Sequence, residues 1–229
     1  MSRLFNLFTI LFLSLSASFL TACGDDEAQI ITTAECVADG DWQCFYKEFN
    51  LLSPKSAELR IAADTKYWLW VNGELVVREG GLKRGPSPTG SYCDVLTDDL
   101  NLKRGRNEVA ILVQYYGRNS FSHRVTATPG LYFDLTTSLD HIVSDDSWKA
   151  VRYDAMWQPP MEHDLKGFRK YRLAGANVGY DARKALDFSK KVDDENWPNA
   201  VVVAREKSDW GELVARPVPM WWWSELRDY

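Results

Sequence analysis

The segment at residues 66–81, KYWLWVNGELVVREGG, constrains the fold more than any other part of this chain. Side chains with a period-two pattern lie on both sides of Asn72 and Gly73. Asn-Gly is the preferred dipeptide of a two-residue type I′ turn, because both turn positions need a positive φ. The segment therefore predicts a β-hairpin that turns at these two residues.

Alternate side chains of a strand point to opposite faces of its sheet. Trp68 and Trp70 are therefore expected on one face of the hairpin, and Tyr67, Leu69 and Val71 on the other. This division matters because large aromatic side chains contribute much of a protein's buried apolar area. The chain holds ten tryptophans, so many of them must be core residues.

Other strand-like segments follow one another at short intervals, separated by turn residues. They lie at 44–52, 57–63, 107–116 and 129–137, and residues 140–153 predict a further hairpin that turns between Ser144 and Ser147. No amphipathic helix longer than about two turns is predicted before residue 155. The pattern indicates an all-β fold: an antiparallel β-sandwich, jelly-roll-like and galactose-binding-like, with an additional partly irregular β segment at the C-terminus.

The N-terminus has the layout of an export signal. An apolar run from Leu4 to Leu20 follows one early arginine and is short for a membrane span. Its end, LTAC, resembles a bacterial lipobox, which predicts a signal peptide at residues 1–22 and acylation of Cys23. The alternative is a plain signal peptide that ends near a cysteine. We expect an exported lipoprotein, held at a bacterial membrane by its lipid alone and facing the periplasm or the cell exterior.

The rest of the chain divides at changes in composition. Residues 23–40 are expected to form a polar tether and residues 41–156 the sandwich domain. Pro159-Pro160 marks a break, so residues 157–229 are predicted to form a second β segment and a linker. Three consecutive tryptophans at 221–223 are expected to pack against a further element.

Three cysteines remain after Cys23, in a compartment that is expected to be oxidising. Cys36 and Cys44 are close in sequence and form the predicted disulfide, which leaves Cys93 free. The alternative is that all three thiols are reduced and packed. No histidine or CxxC motif completes a zinc site, so neither a metal nor another cofactor is predicted.

The charge of the chain bears on its partners. Its formal net charge is -5, and no basic block stands out. Phosphate binding needs clustered lysine and arginine, so nucleic acid is not an expected partner.

Several phrases in one order resemble a known family. They include CFYKEFNL, AELRIAADTKYWLWVNGELV, EGGLKRGP, NEVAILVQYYGRNSFSH, YDARKA, DDENWPNAV and LVARPVPM. Together they resemble the N-terminal accessory region of bacterial α-L-rhamnosidases, over residues 41–220. The hairpin followed by LNLKRGRNEVAILV also looks like the sugar-binding sandwich of exo-acting glycoside hydrolases.

The resemblance implies β-sandwich domains placed before a helical (α/α) barrel that carries the catalytic carboxylates. This chain is expected to stop before the barrel, so its predicted partners are a rhamnose-containing glycan and a missing catalytic domain or partner chain. The implied function is accessory: carbohydrate binding and domain docking in an α-L-rhamnosidase-like glycoside hydrolase, without catalysis by this chain. The alternative is a stand-alone, lipid-anchored carbohydrate-binding protein without an enzyme.

The residues themselves give no catalytic assignment. Glycoside hydrolysis needs two carboxyl groups across the scissile bond. The candidate groups all lie in polar, turn-like contexts: Asp145 with Asp146, Glu162 with Asp164, and Asp193 with Asp194 and Glu195. Solvated acids are the usual residues in such contexts, so no catalytic residue is predicted.

Sugar binding needs an aromatic platform beside polar side chains. The predicted contacts are Trp68, Trp70, Arg84, Tyr116, Asn119 and His123. In the alternative interpretation, Trp68 and Trp70 fill the space between the sheets and a later domain covers the opposite face.

Overall fold

The computed structural model describes residues 27–35, 37–81, 90–97, 99–119, 125–158 and 178–221. These residues form fourteen strands, a 3-10 turn at Arg205–Lys207 and no α-helix. In chain order the strands are β1 (Ile30–Thr32), β2 (Trp42–Leu51), β3 (Glu58–Asp64), β4 (Lys66–Val71), β5 (Glu74–Gly80), β6 (Gly90–Leu96), β7 (Gly105–Gln114), β8 (Gly130–Thr136), β9 (His141–Val143), β10 (Lys149–Arg152), β11 (Met156–Trp157), β12 (Gly179–Tyr180), β13 (Val201–Val203) and β14 (Glu212–Ala215).

The strands form two large sheets and one small ribbon. The five-stranded sheet has the order β10-β2-β7-β4-β5, and the seven-stranded sheet has the order β13-β1-β8-β3-β6-β14 with β9 beside β8. The pairings are antiparallel except that of β14 with β6. Strands β11 and β12 form a separate two-stranded ribbon. The predicted all-β sandwich is therefore confirmed.

The hairpin at residues 66–81 has the predicted turn. Strand β4 ends at Val71, β5 begins at Glu74, and these two residues are paired. Asn72 and Gly73 have φ angles of 52° and 80°, as a type I′ turn requires. The Asn72 side chain also accepts a hydrogen bond from the backbone N–H of Glu108, which ties the turn to β7.

The main core lies between the two sheets and follows the predicted alternation. The inner face of β4 contributes Tyr67, Leu69 and Val71, and the facing sheet contributes residues such as Ile61 and Phe133. Branched and aromatic side chains fill such an inter-sheet layer well. The core thus defines an outer face of the five-stranded sheet, on which Trp68 and Trp70 lie.

The second predicted hairpin is wrong in its pairing. Strands β9 and β10 flank the expected turn, but β9 pairs with β8 in one sheet and β10 pairs with β2 in the other. The segment between β9 and β10 therefore crosses from one sheet to the other. Trp148, at the end of this segment, is completely buried between the sheets and stabilises the crossing. The Trp148 indole N–H donates to the carbonyl oxygen of Val143 at 2.8 Å and holds this corner.

Strands outside the predicted sandwich range also join it. Strand β1, inside the stretch expected to be a tether, pairs with β8 and β13 because Ile31 is a buried core residue. Strands β13 and β14 come from the predicted second segment and extend the same sheet. The predicted segments 41–156 and 157–229 therefore share one seven-stranded sheet.

Candidate functional site

The outer face of the five-stranded sheet carries a second apolar cluster. Trp42, Cys44 and Tyr46 on β2 are buried there, and half-buried Trp68 and Trp70 on β4 pack against them. The centroids of the Trp42 and Trp68 rings are 5.2 Å apart. The alternative interpretation, in which Trp68 and Trp70 fill the space between the sheets, is therefore wrong. That space is filled from β4 by the side chains of its opposite face, which are Tyr67, Leu69 and Val71.

Residues 181–197, here called the strap, are irregular and cover part of this cluster. Phe188 stacks on Trp70 with centroids 4.4 Å apart and an interplanar angle of 27°. The backbone N–H of Leu186 donates to the Tyr153 hydroxyl at 3.1 Å. Trp70 therefore anchors the strap, since stacked aromatic rings contribute beyond their buried area.

A cleft of about 430 Å³ opens where the strap begins. It is lined by Asp41, Trp42, Arg152, Tyr153, Asp154, Met156, Trp157, Asp181 and Lys184. The lining comes from β2, from the end of β10, from β11 and from the strap. Its size is within the range of small-molecule sites, which are typically ~300–1,000 Å³.

The cleft contains one aromatic side chain that is open to solvent. Trp157 on β11 is 45% exposed, although it lies directly opposite Gly179 of β12. Trp42, by contrast, is buried and forms the floor, and its indole nitrogen has no hydrogen-bond partner. Trp157 is therefore the ring that a bound molecule can contact.

Ionised groups line the same cleft as this ring. Arg152 Nε lies 2.9 Å from the Asp154 carboxylate, which raises the pKa of Arg152. Arg183 donates two hydrogen bonds of 2.8 Å to the two carboxylate oxygens of Asp181 and lowers the pKa of Asp181. Lys184 is exposed at the edge. The cleft therefore presents charged acceptors and donors beside an aromatic face.

The structure brings only part of the predicted site together. Trp68 contacts Trp42 at the cleft floor, whereas Trp70 lies under the strap. Tyr116 is buried beneath Lys66, whose Nζ lies 5.8 Å from the ring centroid. Asn119 is exposed, and its amide oxygen accepts a hydrogen bond from the Val125 backbone at 3.1 Å. Arg84 and His123 lie outside the described residues.

Sequence reasoning missed the main cleft residues, Trp157, Asp154, Asp181 and Lys184. The strap residues are in the phrase YDARKA, which was noted only for its family resemblance. That phrase, with its acidic and basic residues after an aromatic one, was the available signal.

Two of the four cysteines, Cys44 and Cys93, lie among the described residues. Both are buried free thiols, and burial raises the pKa of Cys44 far above its ordinary value. Cys23 and Cys36, the predicted lipid site and disulfide partner, lie outside the described residues. Cys44 packs in the outer cluster, and its predicted disulfide with Cys36 stays a prediction.

A carboxylate pair that the sequence did not suggest lies on the same outer face. Glu48 and Glu108 are directly opposite across β2 and β7, and the Tyr46 hydroxyl lies 3.0 and 2.9 Å from their carboxylates. Arg106 and Lys191 pair with Glu48, and these contacts lower its pKa against the opposing effect of burial. The pair is a solvent-facing ion cluster on adjacent strands rather than two acids across a cleft.

The described ranges contain no group of three or more histidine, cysteine, aspartate or glutamate side chains that could hold a metal ion. In the same part of the chain, no helix has the length and apolar character that a membrane span needs.

No known family model matches this chain, and no curated protein does. Solved structures do. The GH78 family rhamnosidase of Bacillus sp. GL1 is 26% identical with a TM-score of 0.66, over 85% of this chain and 20% of that one. A Pleurotus ostreatus lectin, solved in complex with GalNAc, is 22% identical with a TM-score of 0.51, over 84% of this chain and 48% of that one.

A native α-L-rhamnosidase from Aspergillus terreus is 19% identical with a TM-score of 0.55, over 80% of this chain and 22% of that one. The chain thus spans about a fifth of the length of both rhamnosidases. The lectin and the fungal enzyme share its fold, and the Bacillus enzyme is similar in sequence as well.

Proposed function

We propose that this chain is a carbohydrate-binding and domain-docking accessory region of an α-L-rhamnosidase-like glycoside hydrolase, N-terminal to the catalytic barrel and not catalytic by itself. The observation that carries the proposal is the cleft in which exposed Trp157 lies among Arg152, Asp154, Asp181 and Lys184. The similarity to one region of the Bacillus rhamnosidase, and the shared fold with a lectin, support the same function.

The cleft suits the two surfaces of a sugar. A sugar ring has an apolar C–H face, which packs on an indole, and a hydroxyl edge, which needs hydrogen-bond partners. Carboxylates accept from hydroxyl groups, and the cations donate to ring and hydroxyl oxygens; hydrogen bonds to charged groups contribute ~1.5–3 kcal/mol each. Asp154 and Asp181 are already oriented by arginine partners, so binding costs them little side-chain entropy.

The proposed ligand is a rhamnose-containing glycan, and the proposed location is a bacterial membrane to which acylated Cys23 anchors the chain. The anchor is supported by the lipobox-like LTAC that follows an apolar run. Labelling with a radioactive or clickable fatty acid tests it: label should appear on the wild-type chain and be lost in Cys23→Ser. Label on both chains, or on neither, would count against the anchor.

Binding is tested on an array of rhamnose-terminated and GalNAc-terminated glycans, with Trp157→Ala as the variant. We expect binding of the wild-type chain and a loss of about tenfold or more in affinity, equivalent to ~1.4 kcal/mol, in the variant. Trp221→Ala is the matched control, because Trp221 is also exposed but does not line the cleft. Equal affinity of wild type and Trp157→Ala, or no binding at all, would exclude this site.

The non-catalytic part of the proposal has its own assay. The purified chain is incubated with an aryl α-L-rhamnoside, and release of the aryl alcohol is followed by absorbance. We expect no release above the buffer rate. Turnover that scales with the concentration of the chain would refute that part and leave the binding proposal standing.

A further inference from the structure

We infer that Gly179 is a positioning residue for the aromatic platform of the cleft: its missing side chain lets the Trp157 indole lie against β12 with the opposite ring face open. The inference rests on the proposed carbohydrate-binding function and adds a residue that does not itself line the cleft.

The contact is close. A Cβ atom built on Gly179 would lie 2.2 Å from Cε2 of Trp157, 2.5 Å from Cζ2 and 2.7 Å from Cδ2. All three atoms belong to the six-membered part of the indole or its fusion bond, so the ring covers the glycine. Real Cβ atoms do not approach carbon that closely, and any side chain at position 179 would displace the ring.

The backbone does not explain this glycine. Its φ lies outside the left-handed region, in which glycine is favoured, and it belongs to a regular strand pairing with Trp157. Glycine in a strand costs stability relative to residues with a side chain, and it often marks a bulge, a tight bend or the close approach of another group. Here that group is the indole.

A second pair in the chain shows the same arrangement in a different role. Gly80 on β5 is opposite Tyr67 on β4, and a Cβ at Gly80 would lie 2.2 Å from Cζ of the tyrosine ring. Tyr67 is completely buried, so that glycine serves core packing. Trp157 keeps 45% of its surface exposed although its ring rests on Gly179, and it lines the cleft rather than the core.

The test measures affinity for methyl α-L-rhamnoside by titration calorimetry in the full chain and in Gly179→Ala, Trp157→Ala and the double variant. Gly179→Ala should lower the affinity about tenfold, and the double variant should bind no more weakly than Trp157→Ala, because the glycine acts only through the ring. Val178→Ala, on the same segment but outside the cleft, should bind like the wild type.

A second measurement reports the ring itself. Trp157 contributes one of ten indole N–H resonances in a nitrogen–proton spectrum and is assigned by its loss in Trp157→Phe. We expect this resonance to shift in Gly179→Ala while the others stay in place, which a general loss of folding would not produce. Gly80→Ala should instead disturb the core and lower the melting temperature.

The outcomes separate the inference from the function on which it rests. An unshifted Trp157 resonance, or wild-type affinity in Gly179→Ala beside weakened binding in Trp157→Ala, overturns the role of Gly179 and leaves the proposed site intact. Equal binding by the wild type and Trp157→Ala, or no binding by the wild type, overturns both.

Discussion

Replacement of Arg216 by leucine is expected to destabilise the fold more than its place near the edge of a sheet would indicate. Arg216 follows β14, and its Nε lies 2.7 Å from Oδ1 of Asp94 on β6. The side chains of Arg216 and Asp94 are only 7% and 2% exposed. The Nε–H is not directed at an acceptor, so charge attraction rather than a well-aligned hydrogen bond holds the pair.

The magnitude follows from what remains around Asp94 after the change. Its other oxygen, Oδ2, still accepts hydrogen bonds from the Tyr67 hydroxyl at 2.7 Å and the Gly81 N–H at 2.9 Å. Removal of one partner of a buried ion pair leaves an uncompensated charge and typically costs ~3–5 kcal/mol. Because two donors stay in place, we expect a loss of about 3 kcal/mol from a total of ~5–15 kcal/mol.

Urea unfolding followed by tryptophan fluorescence measures this loss as a lower midpoint with an unchanged slope. The double variant Asp94→Asn with Arg216→Leu removes the buried charge as well and should recover part of the stability. Lys190→Ala breaks the exposed Lys190–Asp187 pair and should leave the midpoint unchanged. A loss of less than about 1 kcal/mol in Arg216→Leu, or no recovery in the double variant, would refute the reasoning.

Three further predictions concern the turn, a thiol and the cleft. Gly73→Ala should lower the unfolding free energy by about 1–3 kcal/mol, because φ is 80° and a Cβ would lie 2.6 Å from the Ser189 carbonyl oxygen; an unchanged urea midpoint would contradict this. Iodoacetamide should leave Cys44 unmodified in the native chain, because the thiol is buried and its pKa is raised. In urea without reductant, iodoacetamide should modify Cys44. Resistance of Cys44 to modification in urea would instead indicate the predicted disulfide. The contacts with Arg183 lower the pKa of Asp181 and keep its carboxylate ionised to a lower pH, so sugar affinity should begin to fall at a higher pH in Arg183→Ala than in the wild type; identical pH profiles for the two proteins would exclude this coupling.

The strand pattern and the first hairpin could be predicted because their causes are local. Asn72 and Gly73 both adopt the positive φ that their type favours, and alternation separates Tyr67, Leu69 and Val71 from the tryptophans between them. These properties depend on residues within a few positions of each other. The sequence therefore identified which side chains share a face without information from distant segments.

Which of the two faces lies between the sheets could not be predicted in the same way. Both faces of the segment KYWLWV are aromatic or aliphatic, and the five-stranded sheet is covered on both sides. An apolar alternating strand identifies two sets of side chains, and the choice between them depends on what packs on each set. Here the strap covers the tryptophan face, through Phe188, which is more than a hundred residues from Trp70 in the sequence.

The cleft escaped prediction because none of its parts is a recognisable element alone. Strands β11 and β12 have two residues each, below the length at which period two can be detected. The lining comes from residues 41–42, 152–157 and 181–184, which are brought together by the return of the strap over β2. A long-range arrangement of this kind is set by tertiary packing, so the charged and aromatic residues of YDARKA could be noticed in the sequence but could not be placed in a cleft.

Trp70 and Trp157 show that the position of an aromatic ring in the fold must be known before a function is assigned to it. Trp70 belongs to the strongest motif of the sequence, yet its ring is stacked on Phe188 and serves the strap. Trp157 belongs to no motif of the sequence, yet it is exposed and lines the cleft together with the ion-paired carboxylates of Asp154 and Asp181. If Trp70 anchors the strap that carries Asp181 and Lys184, its loss weakens sugar binding without any contact to sugar. A binding defect in Trp70→Ala is therefore ambiguous unless Trp157→Ala, which leaves the Trp70–Phe188 stack in place, is measured beside it.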